Sequence, residues 1–103
     1  MDGDGSFLNR IIDAYLQKSP SDIQQLNQGL AHSDAQALRK AAHSFKSSSY
    51  NLGAYKLAEL CKTLEMMGRE SDLEQAASLC VDINAEYQRR RKALIKIQET
   101  NNG

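Results

Sequence analysis

Residues 41–53 read AAHSFKSSSYNLG, and two of them could do chemistry: His43 and Lys46, about one turn apart if the segment is helical. A neutral imidazole is a competent nitrogen nucleophile near neutral pH, and it can accept a phosphoryl group. A lysine one turn further on can place its ammonium beside the oxygens of that group. Ser47, next to Lys46, keeps the surface low enough for a partner to close over the ring. Gln36, Arg39, His43, Lys46 and Tyr50 follow helical spacing on the side opposite Phe45, so His43 is expected to be exposed.

The elements that must position these residues are helices throughout. The chain has one proline, and its apolar residues recur at helical spacing. A first stripe is Phe7, Leu8, Ile11, Ile12, Tyr15 and Leu16. Ser19-Pro20 reads as the start of a second helix, with Ile23, Leu26 and Leu30 inward. Ser33 or Asp34 caps a third helix, whose inner face is Leu38, Ala41, Ala42, Phe45, Ser49 and Leu52, and Gly53 ends it. A fourth carries Leu57, Leu60, Cys61, Leu64 and Met67, with Gly68 as its stop. Ser71 or Asp72 opens the longest helix, striped by Leu73, Ala76, Cys80, Ile83, Tyr87, Leu94 and Ile97. Short connections then predict an all-α fold: an antiparallel four-helix bundle from the last four helices, with an additional N-terminal helix packed across one end. Pairing across the turn at Gly53 sets His43 near Thr63 and Glu65. A hydrogen bond from Nδ1–H to Glu65 would leave the Nε2 lone pair facing outward. Glu65 could equally pair with Lys62 or Arg69 at helical spacing.

Composition bounds the remaining possibilities. At 103 residues the chain is one domain, with 1–5 expected to be a disordered start or linker remnant, 6–99 the folded body and 100–103 a disordered tail. Thirteen basic and thirteen acidic residues cancel, which argues against a general nucleic-acid binder. The basic run Arg89–Lys92 falls in a helical pattern and reads as a solvated face. No apolar stretch approaches the roughly 20 residues that span a bilayer. Cys61 and Cys80 lack metal or redox spacing and read as two reduced core thiols, with a disulfide as the alternative. There is no glycine-rich phosphate loop, no carboxylate cluster for magnesium and no nucleotide motif. A domain of this kind would carry a phosphoryl group without making one from ATP.

The run H-S-F-K-S-S-S-Y-N-L-G-A, continuing through L-A-E-L-C-K-T-L-E-M-M-G-R, resembles a histidine-containing phosphotransfer (HPt) domain. The family pattern has an A-H-x-L-K-G core, small residues, a glycine ten positions after the histidine and a later L-E near G-R. The resemblance extends over almost the whole chain, including F-L-x-x-I-I-x-x-Y-L and L-x-x-G-L-x-x-x-D upstream. It implies that His43 is the phosphorylated residue, Lys46 the stabilising cation, and Glu65 the residue that holds the imidazole from the neighbouring helix. Arg39, Ser47 and Tyr50 would flank the docking surface. Ser47 departs from the family's usual glycine after the lysine, and Phe45 replaces a common leucine.

The implied function is that of a phosphorelay intermediate, taking the group from a receiver-domain aspartate and passing it to another receiver. The domain would not itself be an enzyme and would bind no cofactor, with magnesium supplied by the response-regulator receiver. It is expected to be a monomer without direct nucleic-acid or membrane contact. The expected setting is cytoplasmic, the domain being tethered to an inner-membrane sensor where it forms part of a hybrid kinase chain. Two other classes compete. A histidine kinase dimerisation domain normally has an acidic residue directly after its histidine, where this chain has Ser44. A helical adaptor would keep its activity when His43 is replaced.

Overall fold

The computed structural model describes residues 3–102 and contains four helices: α1 (Gly3–Ala31), α2 (Ala35–Asn51), α3 (Tyr55–Glu70) and α4 (Ala76–Asn102). Among the described residues there is no strand. Hydrogen bonds join early α1 to late α4, Gln98 Nε2 donating to Asp13 Oδ1 at 2.6 Å, and mid α1 to mid α4, where Ser19 Oγ meets Tyr87 Oη at 2.7 Å. Tyr15 likewise pairs with Ser49 near the end of α2, whereas Gly29 packs on Leu38 near its start.

The first departure from expectation is at Ser19-Pro20, where the sequence suggests a cap and the chain instead continues as one helix through Pro20. An interior proline removes a backbone hydrogen bond and costs about 3 kcal/mol. The reason it is tolerated lies in the buried stripe, which stays in phase across it: Ile12, Tyr15, Ser19, Asp22 and Leu26 are all buried, spaced by three and four. Ser19 is therefore a core hydroxyl and not a cap. Among the described residues there is accordingly no separate N-terminal helix laid across one end.

The second departure concerns the end of α3. Gly68 is not the stop but an interior, buried glycine. A Cβ there would lie 2.7 Å from the Ala35 carbonyl oxygen and 2.9 Å from the Arg39 nitrogen, so only glycine lets α3 approach α2 this closely. The left-handed residue that closes α3 is Ser71, at φ 55°, with Asp72 N–H donating to the Met67 carbonyl at 3.0 Å. The C-terminal helix, expected to be the longest, begins at Ala76, later than Ser71 or Asp72 would place it, and its 27 residues fall short of the 29 of α1. The other turns follow the sequence. Asp34 caps α2 by accepting from Ala37 N–H at 3.0 Å, and Gly53 takes φ 85° after α2.

Helices α1 and α4, of 29 and 27 residues, overrun α2 and α3, of 17 and 16, in a molecule 50 Å long. This explains why Phe7, Leu8, Ile11 and Ile97, expected inward from their spacing, are exposed: α2 and α3 do not reach that far, and α1 and α4 have only each other there. Helix covers residues 3–5 and 100–102, where a disordered start and tail were expected, while 1–2 and 103 lie outside the described residues.

Phe45 centres the core, with Tyr15 stacked at 6.2 Å and Tyr87 edge-on at 5.7 Å between ring centroids. Cys61 and Cys80 are buried free thiols, and burial pushes Cys61 up to about 12.

Candidate functional site

The site is built from the outer faces of α2 and α3. On α2, Ala41, Ala42, Phe45 and Ser49 are buried, which turns His43 and Ser47 outward. On α3, Glu65 lies one position beyond the buried Leu64, at the seam with α2, and is itself buried. The glycine at position 68 allows this seam to be tight enough for a short glutamate to reach a histidine on the next helix.

The His43 side chain is 61% exposed and that of Glu65 only 6%. Nδ1 of His43 lies 2.9 Å from Glu65 Oε2. An ionised carboxylate only accepts, so Nδ1 carries the proton and donates, and Nε2 keeps its lone pair on the exposed side of the ring. The other oxygen, Oε1, is 2.7 Å from Lys46 Nζ, whose side chain is 22% exposed. Arg69, one turn along α3, adds a 3.4 Å contact to Oε2. Burial alone would raise the Glu65 carboxyl, but the donors from Lys46 and His43 outweigh it and hold it below the usual carboxylate range.

Of the residues singled out from sequence, the structure brings His43, Lys46 and Glu65 together. Arg39, Ser47 and Tyr50 line the same face of α2. Arg39 Nε donates to Gln36 Oε1 at 3.2 Å, Ser47 is exposed, and Tyr50 donates its hydroxyl to the Glu59 carboxylate while its ring meets Tyr55. The alternatives for Glu65 prove not to be exclusive, since Arg69 and His43 share one oxygen.

Two features escaped the sequence reading. Lys46 pairs with the carboxylate that also holds the imidazole, a coupling that needs the α2–α3 register to be known. On the other flank, Lys18 Nζ reaches both oxygens of buried Asp22, at 3.0 and 2.9 Å, and Ser44 Oγ at 2.8 Å. Lys18 and Asp22 stand at i, i+4, the one signal that could have found this pair. It ties α1 to the residue directly after His43.

An exposed imidazole with its outer nitrogen free, its inner nitrogen held by a buried carboxylate and an ammonium within reach can accept and release a phosphoryl group. A helical bundle presenting such a residue, with no phosphate loop of its own, defines a phosphocarrier module. The family model described as "Hpt domain" matches residues 10–93, and the chain belongs to that family. It is similar to histidine-containing phosphotransfer protein B (HptB) from Pseudomonas aeruginosa PAO1. That crystal structure superposes with a TM-score of 0.87 at 34% identity, covering 89% of this chain and 80% of that one. No curated protein sequence matches the chain. The protein is thus a phosphorelay intermediate of two-component signalling, a carrier and not a catalyst, and Hpt proteins of this kind interact with response-regulator receiver domains.

Proposed function

We propose that His43 Nε2 is the atom that takes the phosphoryl group. The lone pair forms the N–P bond as the P–O bond to a receiver's aspartyl carboxylate breaks, and that carboxylate leaves with the electron pair. Nδ1 keeps its proton, so the ring becomes cationic, and Glu65 faces that new charge. The reverse sequence delivers the group to a second receiver. The observation that carries this reading is the 2.9 Å contact from Nδ1 to a buried, ionised glutamate, which fixes the tautomer and aims Nε2 at solvent. Lys46 is assigned to the phosphoryl oxygens, and Arg39, Ser47 and Tyr50 to the rim met by the receiver.

The same reading includes an antiparallel bundle, supported by the opposed order of the α1–α4 and α1–α2 contacts. It takes the protein as a monomer in the cytoplasm, with magnesium held by the receiver. Among the described residues no helix is long and apolar enough to cross a membrane.

The test is transfer from a phosphorylated receiver to wild type and to His43→Gln. Acid-labile, base-stable label is expected on wild type and none on the variant. Gln retains an N–H that can reach the Glu65 carboxylate, and circular dichroism of the variant checks that it is folded. Label persisting on a folded His43→Gln would sink the assignment.

A further inference from the structure

Glu65 makes two contacts that the reaction must treat differently. Oε2 accepts from His43 Nδ1–H, and that bond gains strength when the ring becomes cationic. Oε1 holds Lys46 Nζ at 2.7 Å, and in that position the ammonium is committed to the glutamate and not to an incoming phosphoryl group. Resting on the assignment of His43 above, we propose that the Lys46–Glu65 ion pair is a latch that opens on phosphorylation. Lys46 exchanges the carboxylate for the phosphoryl oxygens, and Glu65 turns its charge to the imidazolium.

The charges around the carboxylate allow the exchange without stranding any ion. Before transfer, Glu65 is neutralised chiefly by Lys46, with a neutral imidazole on its other oxygen. After transfer, the ring brings a positive charge of its own to 2.9 Å, and Arg69 remains at 3.4 Å on the same oxygen. A buried carboxylate that would be costly to leave unpaired therefore keeps a partner throughout. The phosphoryl group arrives with about two negative charges at pH 7. It offers Lys46 a stronger field than a single carboxylate already compensated from the other side. Lys46, only partly exposed, has an unbranched flexible stem able to swing between Glu65 on α3 and a phosphoryl group on His43 of α2. No bond is made or broken in this step, only ion pairs are exchanged.

The latch has a consequence that a simple positioning role lacks. If Glu65 restrains Lys46, part of the lysine's attraction for the phosphoryl group is cancelled by the pair it must break. Removing the glutamate's charge should then make Lys46 matter more. If Glu65 instead aims Lys46 at the phosphoryl site, removing it should make Lys46 matter less.

The experiment is a double-mutant cycle on the equilibrium of phosphoryl transfer between a receiver and this protein, with Lys46→Met, Glu65→Gln and the double variant. Gln keeps an acceptor for Nδ1–H, so nucleophile orientation is preserved. The loss caused by Lys46→Met is expected to be at least about fivefold larger in the Glu65→Gln background than in wild type, within the range of couplings between touching residues. An equal or smaller loss in that background overturns the latch while leaving His43 as acceptor. Failure of wild type to take label overturns the acceptor assignment, and the latch with it. A measurement on unphosphorylated protein covers the resting half separately. The Lys46 ammonium should give a distinct, slowly exchanging 15N–1H signal in wild type that is lost in Glu65→Gln, and its absence from wild type would refute the closed state.

Discussion

Tyr15, Ser19, Ser49 and Tyr87 sit in the core as two neutral hydroxyl pairs, at 3.0 and 2.7 Å, either side of Phe45. Behind His43, a single buried carboxylate gathers an imidazole, an ammonium and a guanidinium. Both regions bury polar atoms between helices, but the hydroxyls are hydrogen-bonded to each other, whereas Glu65 Oε1 has no hydrogen-bond partner and meets Lys46 only as an ion pair. The two regions differ in what a change of state does. The hydroxyl pairs have one arrangement each, closed and self-sufficient, and they serve to register α1 against α2 and α4. The carboxylate has more partners than it has strong contacts to give, so its loyalties can shift when a charge arrives at the surface. Neutral pairs fix the scaffold, and the over-subscribed ion is where the fold is able to respond.

The comparison can be broken most severely from the core side. Phe45 is fully buried between Tyr15 and Tyr87, on the helix that carries His43 and Lys46. Phe45→Ala is expected to cost about 3–5 kcal/mol, because the two tyrosines that flank it are held by their hydroxyls and cannot collapse into the space. Urea denaturation measures this directly. A loss below about 1 kcal/mol would mean that the seam relaxes freely, and that it does not set the scaffold.

A subtler break removes one partner of a neutral pair. Ser19→Ala leaves the Tyr87 hydroxyl buried without its 2.7 Å partner and should cost about 1–3 kcal/mol. Adding Tyr87→Phe should restore most of that loss, since two matched apolar groups avoid the desolvation penalty. If the second substitution deepens the loss instead, the pair contributes more than mutual satisfaction and the account of the seam is wrong.

These same residues show what the sequence made legible. The spacing of Ala41, Ala42, Phe45 and Ser49 revealed which face of α2 was buried, and thus that His43 was outward. Glu65 was placed near His43 by counting back from Gly53, because a two-helix hairpin with a short turn leaves little freedom in register. Ser19 departs from its sequence signal because a serine before a proline is chemically suited to a cap, and only contact with Tyr87, 68 residues away, gives it another use. Gly68 departs for a related reason. Glycine permits both a left-handed turn and a close approach of backbones, and the choice depends on whether Ala35 lies opposite. The Lys46–Glu65 pair depended on side-chain reach across the seam, which periodicity does not encode.

The smallest effect, and the one that separates the two regions most cleanly, is their response to acid. The Glu65 carboxyl is held below its ordinary value, against the effect of burial, by Lys46 and His43. A group whose folded value is depressed stabilises the protein above its unfolded value, near 4.5, and that contribution is lost as the pH falls through the folded one. The hydroxyl pairs carry no proton that leaves in this range, and burial pushes Tyr15 further upward, away from it. Wild type should therefore be more stable than Glu65→Gln at pH 7, and the two should converge as the pH is lowered below about 4.5. Contributions from the rest of the molecule are common to both proteins and cancel in the difference. Ser19→Ala should keep a constant offset from wild type over the same span. Denaturation midpoints of the three proteins at pH 7, 5, 4 and 3 provide the check. Parallel curves for wild type and Glu65→Gln would mean that the charge on Glu65 does nothing for the folded state, and the two buried polar regions would then be alike in kind.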